Sequence, residues 1–140
     1  MIAIDTNILV RYAIKDNKPQ AEAAIRFLKH NQCLLLPTVI LETVWVLASK
    51  KGYALPREAV IERIQHIAGL PNITVQDPLA LNFALNCYSS GMDFADALHL
   101  GLSVISNGFA TLDQKMWLCA ERLGQAESVL LLPVIEDSEF

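Results

Sequence analysis

Short apolar runs alternate with longer stretches in which apolar residues recur every three or four positions along the 140 residues of this chain. The short runs predict strands, and the longer stretches predict helices. Because strands and helices alternate, we expect an α/β fold, a three-layer α/β/α domain around a mainly parallel five-stranded sheet. The five strands are expected at Ile2–Ile4, Cys33–Leu36, Ile73–Val75, Phe109–Leu112 and Ser128–Leu132.

Polar residues, prolines and glycines predict where the helices begin and end. The helices are expected to begin at or near Thr6 or Asn7, Lys18, Thr38, Pro56, Leu79, Asp93 and Gln114. Gly52 follows two lysines after the third helix, a position that favours a left-handed backbone.

Composition narrows the class of protein. Hydrophobic residues make up 53% of the chain and charged residues 19%, which predicts one well-covered core and a single domain over residues 1–140. The net charge is −4. All charged residues after Arg122 are acids, which predicts an acidic tail from about residue 134. The broad basic surface of a duplex-binding domain is missing. Without about 20 consecutive apolar residues or a basic leader, the chain is expected to be cytoplasmic and free of membrane contact.

Other residues that often carry chemistry do not form motifs here. The three cysteines lack disulfide or zinc-site spacing, so we expect small buried hydrophobic residues at Cys33, Cys87 and Cys119. His99 is expected to be a hydrogen-bonded helix residue and not a metal ligand. Trp45 and Trp117 are expected in the core or in an interface.

Isolated acids within apolar sequence are the most informative residues. Asp5 directly follows the first strand, and Glu42 is the only charged residue within the third helix. Asp93 and Asp96 stand three apart near the start of the sixth helix, and Asp113 ends the fourth strand. A buried carboxylate costs several kcal/mol unless it is paired, protonated or bound to a cation.

Ordinary structural roles compete with a functional one. Asp5, Asp93 and Asp113 each precede a helix and could cap it. Glu42 and Asp96 are less easily explained, because no Lys or Arg lies within one helical turn of either. An ion pair with a distant arginine, such as Arg11 or Arg122, remains open.

Topology decides whether these acids could meet. Asp5 and Asp113 follow the carboxyl ends of predicted parallel strands, where sites form in open α/β sheets, and they converge if the first and fourth strands are neighbours. Several carboxylates close together need a cation, and hard oxygen ligands select Mg²⁺ or Mn²⁺. The pattern therefore predicts a divalent-cation site.

Four short motifs in this order resemble the PIN-domain ribonucleases, and among them the VapC-like toxins of toxin–antitoxin modules are most similar. The motifs are Asp5-Thr6-Asn7, the lone Glu42, Ala95-Asp96-Ala97-Leu98 and Thr111-Leu112-Asp113. The likeness covers essentially the whole chain. It implies a PIN-like fold with strand order 3-2-1-4-5 and Mg²⁺-dependent endonucleolytic cleavage of RNA.

The resemblance also implies roles for particular residues. Its acidic quartet falls on Asp5, Glu42, Asp96 and Asp113, which would be catalytic and bind Mg²⁺, with Mn²⁺ as a substitute; Glu42 would bind directly or through water. Asp93 is an additional acid, either a ligand, a holder of metal-bound water or only a cap. Supporting positions next to the first and last acids fall on Thr6, Asn7 and Thr111.

The same resemblance implies which molecules the protein contacts. The resemblance implies an RNA substrate, a cognate antitoxin protein and a homodimer. Basic residues near the motifs would either flank the RNA backbone or remain solvated surface; they are Arg11, Lys15, Lys18 and Lys115.

A catalytically silent PIN-like protein-binding module is the alternative function, and a phosphotransfer or receiver domain ranks below both.

Overall fold

A computed structural model describes residues 1–136, which form two compact units divided after Asn82. Of the predicted acidic tail, Glu136 is exposed, whereas Asp137 and Glu139 lie outside the described residues. No helix in the described part is long and apolar enough to cross a bilayer.

The first unit contains a three-stranded parallel sheet with helices after each strand. β2 is central, with Cys33 opposite Ile2 of β1 and opposite Ile73 of β3. Its core is aliphatic and includes Leu9, Leu35 and Ile40. In chain order its elements are β1 (Ile2–Ala3), α1 (Thr6–Ile14), α2 (Lys18–His30), β2 (Cys33–Leu35), α3 (Pro37–Ala48), α4 (Arg57–Ala68), β3 (Ile73–Val75) and the start of α5 (Pro78–Ser89).

The second unit contains a two-stranded parallel sheet, with Phe109 opposite Val129. Its core includes Met92, Phe94 and Met116, and the ring of Phe94 packs edge-on against Tyr88. After the end of α5 its elements are α6 (Phe94–Leu102), a 3₁₀ turn (Ser103–Ile105), β4 (Phe109–Thr111), α7 (Gln114–Arg122), a second 3₁₀ turn (Ala126–Ser128) and β5 (Val129–Leu131).

The strand order is where the fold differs from expectation. The parallel α/β character and the five strands are confirmed, but within residues 1–136 they form sheets of three and two strands, not one sheet of order 3-2-1-4-5. β1 has only two residues, and its ladder runs to β2. A strand this short offers few backbone groups for a second ladder, so the β1–β4 pairing that the resemblance implies is not formed.

Several predicted boundaries shift because backbone geometry, and not residue type alone, selects the cap. α1 begins at Thr6, as predicted, with Asp5 as its N-cap. Leu36 occupies the N-cap of α3 ahead of Pro37, so Thr38 lies inside that helix. α6 ends at Leu102 and continues as a 3₁₀ turn.

Gly52 is required for a reason other than the predicted left-handed backbone. A Cβ built on Gly52 would lie 1.9 Å from the carbonyl oxygen of Val46. The turn after α3 therefore needs glycine because the backbone passes too close for any side chain.

The cysteines and Trp45, which the sequence analysis singled out, differ in burial. Cys33 and Cys87 are buried as expected, and burial raises the pKa of both thiols, whereas Cys119 is partly exposed. Trp45 is 62% exposed, so it does not lie in the core, and its predicted place in an interface stays a prediction. Glu42, one turn away and the only charged residue of α3, is exposed on the same side of the helix.

Candidate active site

Asp5 lies where β1 gives way to α1. Its Oδ1 accepts a hydrogen bond from the backbone N–H of Thr6 at 2.7 Å, and the residue is exposed. The capping role left open for Asp5 is therefore confirmed, and it engages one of the two carboxylate oxygens. The adjacent Thr6 is buried, and its hydroxyl has no hydrogen-bond partner among residues 1–136.

Glu42 is exposed on α3 within the same unit. Asp5 and Glu42 line one open cavity of about 370 Å³, together with Asn7, Arg11 and Tyr53. The first unit therefore brings together two of the four predicted acids, which stand 37 positions apart in the sequence.

Asp93, Asp96 and Asp113 belong to the second unit. The Oδ2 of Asp93 accepts a hydrogen bond from the backbone N–H of Asp96 at 3.2 Å and caps α6. The Oδ1 of Asp113 accepts one from Met116 at 3.0 Å and caps α7. Thr111 supports this turn, since its Oγ1 accepts a hydrogen bond from the N–H of Asp113 at 3.0 Å.

The pKa of Asp96 depends on its burial and on the neighbouring acids. Partial burial raises the pKa of its carboxyl group, and the negative charges of Asp93 and Asp113 raise it further, against a smaller opposite effect of His99. The charges of Asp93 and Asp113 therefore act on the carboxyl group of Asp96, and we refer to these three residues as an acidic cluster. This cluster concentrates negative charge where the predicted motifs of the second unit meet.

The expected burial of the acids is largely wrong. Asp5, Glu42, Asp93 and Asp113 are exposed, and only Asp96 is partly buried. Glu42 shares the exposed side of α3 with Trp45, one turn away. A charged residue in an apolar helix therefore marks that helix's solvent-facing side here, and desolvation alone does not require a cation at Glu42.

The distant arginines serve other partners. Arg11 pairs with Asp16 at 2.9 Å. Arg122 donates from Nη2 to the carbonyl oxygen of Ser90 at 3.1 Å. Among residues 1–136, the ion pair of Glu42 with Arg11 and that of Asp96 with Arg122 are not formed.

A metal site is supported by donor chemistry but not by a preformed cage. Carboxylate oxygens are the ligands that Mg²⁺ and Mn²⁺ prefer. Within residues 1–136, however, no three His, Cys, Asp or Glu side chains are grouped closely enough to hold a metal ion. The predicted four-carboxylate centre thus remains a prediction.

His99 lies within α6, as predicted, and its ring makes a stacking contact. It is exposed, and its ring stacks on Phe109 with a centroid separation of 6.0 Å and an interplanar angle of 9°. Among the basic residues near the motifs, the three lysines are exposed. Lys15 donates to the carbonyl oxygen of Tyr12 and lies over its ring.

One polar cluster was missed by sequence reasoning. Around Arg11, Asp16 accepts from both the guanidinium and the hydroxyl of Tyr53, and Gln20 accepts from the guanidinium Nε. The hydrogen bonds of Tyr53 hold the pKa of Asp16 below its usual value, and those to Asp16 raise the pKa of Tyr53. Asp16 and Gln20 are near Arg11 in sequence, but nothing in the sequence signals a contact with Tyr53, 42 positions away.

Comparison with protein families identifies the class. Residues 2–117 match the PIN domain family, so the chain belongs to that family. PIN domains are typically nucleases and generally use divalent metal ions. No characterised protein among those compared matches the sequence.

Proposed function

We propose that this chain is a Mg²⁺-dependent endoribonuclease and the toxin of a type II toxin–antitoxin module. Membership of the PIN domain family supports nuclease activity in general. The observation that carries the proposal is the cluster of Asp93, Asp96 and Asp113, in which partial burial, and then the charges of Asp93 and Asp113, raise the pKa of Asp96. Such a cluster costs free energy in the absence of a cation, which a purely structural role does not require.

In this proposal Asp5, Glu42, Asp96 and Asp113 are the catalytic acids and would hold the cation, with Mn²⁺ able to replace Mg²⁺. When bound, such a cation activates water and neutralises charge that develops at phosphorus. The N-cap hydrogen bonds fix the carboxylates of Asp5 and Asp113 relative to their helices. Glu42 would accept a hydrogen bond from the attacking water, because its carboxylate is exposed to the cavity.

Supporting residues orient these acids. Thr111 holds the backbone of Asp113 by its hydroxyl, and Thr6 presents its N–H to Asp5. Asn7 lines the same cavity as Asp5 and would orient the carboxylate of Asp5 toward the substrate. Asp93 would act mainly as the cap of α6 and as a source of negative charge beside Asp96.

The biological role is proposed from the resemblance. An RNA substrate, a cognate antitoxin protein, a homodimeric state, a cytoplasmic location and a single PIN-like domain over residues 1–140 belong to this proposal together.

A second candidate function is a silent PIN-like module that acts through protein contacts. Two observations favour it: no preformed metal-binding trio exists within residues 1–136, and four of the five acids are exposed. Exposed acids carry little desolvation cost, so their presence alone does not exclude a silent site.

Cleavage of total cellular RNA with Mg²⁺ or with EDTA tests the proposal. The parent chain should release products with 5′-phosphate ends only with the cation. Asp5→Asn and Asp96→Asn should each lose activity by about two orders of magnitude or more, because each removes a carboxylate ligand.

Asp77→Asn is the matched control. Asp77 caps α5 through a 3.0 Å hydrogen bond from Ala80 and belongs to none of the motifs, so this variant should cleave like the parent. Parent-like cleavage by the Asp5 and Asp96 variants, or no cleavage by the parent, would instead support the silent module.

A further inference from the structure

Arg11 lies on the rim of the cavity that Asp5 and Glu42 line. It is the only basic side chain among the described residues that line this cavity. In a PIN domain whose acids act on RNA, a positively charged side chain beside those acids can bind a phosphate group of the RNA backbone. This inference rests on the proposed function and adds a substrate-binding residue to it.

The guanidinium group of Arg11 is held in place from two directions. Its Nε donates to Gln20 Oε1 at 2.6 Å, and its Nη1 donates to Asp16 Oδ1 at 2.9 Å. The hydroxyl of Tyr53 donates to the other oxygen of Asp16 at 2.8 Å and lies 3.4 Å from Nη1. A side chain fixed in this way loses little further conformational freedom when it binds a ligand.

One nitrogen of the fork remains available. Within residues 1–136, Nη2 of Arg11 has no hydrogen-bond partner, whereas Nε and Nη1 are both engaged. Nη2 carries two N–H donors, and the side chain is 32% exposed. A phosphate oxygen is an acceptor that suits such a donor pair.

A purely structural role explains this arrangement less well. The Arg11–Asp16 pair is exposed, and exposed pairs of this kind contribute little to stability. Gln20 and Tyr53 orient the guanidinium beyond what an ion pair on the surface needs. We propose that Arg11 is an RNA-positioning residue, which binds a backbone phosphate of the substrate at the cavity of Asp5 and Glu42.

RNA binding by the parent and its variants can be measured by fluorescence anisotropy with a labelled single-stranded RNA of mixed sequence. Ca²⁺ takes the place of Mg²⁺, and the measurement is repeated across a series of salt concentrations. Arg11→Ala should weaken binding about tenfold. It should also reduce the slope of log affinity against log salt by about 0.7, since one phosphate contact is lost. Arg11→Lys should keep the slope and bind with intermediate affinity, because the charge remains while the fork is lost.

Two further variants separate RNA binding from folding. Arg26→Ala removes an exposed arginine of α2 that does not line the cavity, and should bind RNA like the parent. Asp16→Asn removes the charge of the same ion pair but keeps an oxygen that can accept from Nη1 of Arg11, so Arg11 stays positioned and RNA binding should be at least as tight as that of the parent. If Asp16→Asn and Arg11→Ala weaken binding equally, the role of Arg11 is structural and the inference is wrong.

The outcomes also distinguish this inference from the proposed function. RNA binding by the parent no tighter than by Arg11→Ala overturns the inference, whatever the cleavage activity. Arg11-dependent RNA binding by a chain that cleaves no RNA with Mg²⁺ supports the inference and overturns the nuclease assignment.

Discussion

At the scale of single residues, Asp96 combines partial burial with two acidic neighbours. Its folded pKa is raised above the ordinary value of 3.8, first by burial and then by Asp93 and Asp113. A raised carboxyl pKa means that the folded state binds the proton more tightly than the unfolded state. The contribution of Asp96 to stability is therefore fully present below pH 3.8 and is lost as the pH rises through the raised folded pKa.

Asp96→Asn should consequently stabilise the metal-free chain at neutral pH, because the amide keeps the shape and removes the charge. We expect its melting temperature at pH 7 in EDTA to exceed that of the parent by a few degrees, and the difference to vanish below pH 3.8. Thermal denaturation between pH 3 and 7.5 measures this. A difference of equal size at both ends of the range would show that the charge of Asp96 is not its cause.

At the scale of elements, three of the five singled-out acids are N-caps. Asp5, Asp93 and Asp113 accept backbone hydrogen bonds at the starts of α1, α6 and α7. A cap and a metal ligand are compatible roles, since a carboxylate has two oxygens and the hydrogen bond engages one. These roles differ, however, in what they require of the side chain, because a cap needs an oxygen and a hard cation favours a negative charge.

Two substitutions of Asp113 separate the roles. Asp113→Asn retains the capping oxygen and should keep the stability within a few tenths of a kcal/mol, whereas Asp113→Ala should lose about 1 kcal/mol. Both should lose Mg²⁺-dependent RNA cleavage. Urea denaturation and cleavage of total RNA measure the two properties. Cleavage by Asp113→Asn at the parent's rate would leave Asp113 with a capping role alone.

At the scale of the whole molecule, cation binding links the site to stability. A ligand that binds only the folded state stabilises it by about 2.7 kcal/mol at 100 times its dissociation constant. Because the charges of Asp93 and Asp113 act against the ionisation of Asp96, we expect the metal-free chain to be stabilised more by a divalent cation than by screening with monovalent salt.

Millimolar Mg²⁺ or Mn²⁺ should therefore raise the melting temperature of the parent by several degrees and that of Asp96→Asn by less. NaCl at matched ionic strength controls for screening, and Asp77→Asn should respond like the parent. Equal shifts with NaCl and Mg²⁺ would contradict specific cation binding and favour the silent module.

Much of the local structure was predictable because it depends on neighbouring residues. Strand β3 has the predicted bounds, and the four other strands agree except at their ends. The capping alternatives for Asp5, Asp93 and Asp113 were open from their positions before helices and are confirmed. Family membership was also predictable, because it depends on four motifs whose order along the chain is visible in sequence.

The sequence by itself determined the alternation of strands and helices, the family and the identity of the candidate acids, since these follow from local periodicity and motif order. Tertiary structure decided which strands pair, that Glu42 faces solvent beside Trp45, and that Tyr53 meets Arg11 and Asp16. Those features depend on contacts between residues far apart in the chain, and the free energy of such contacts is set by packing and by backbone hydrogen bonds that no local pattern encodes.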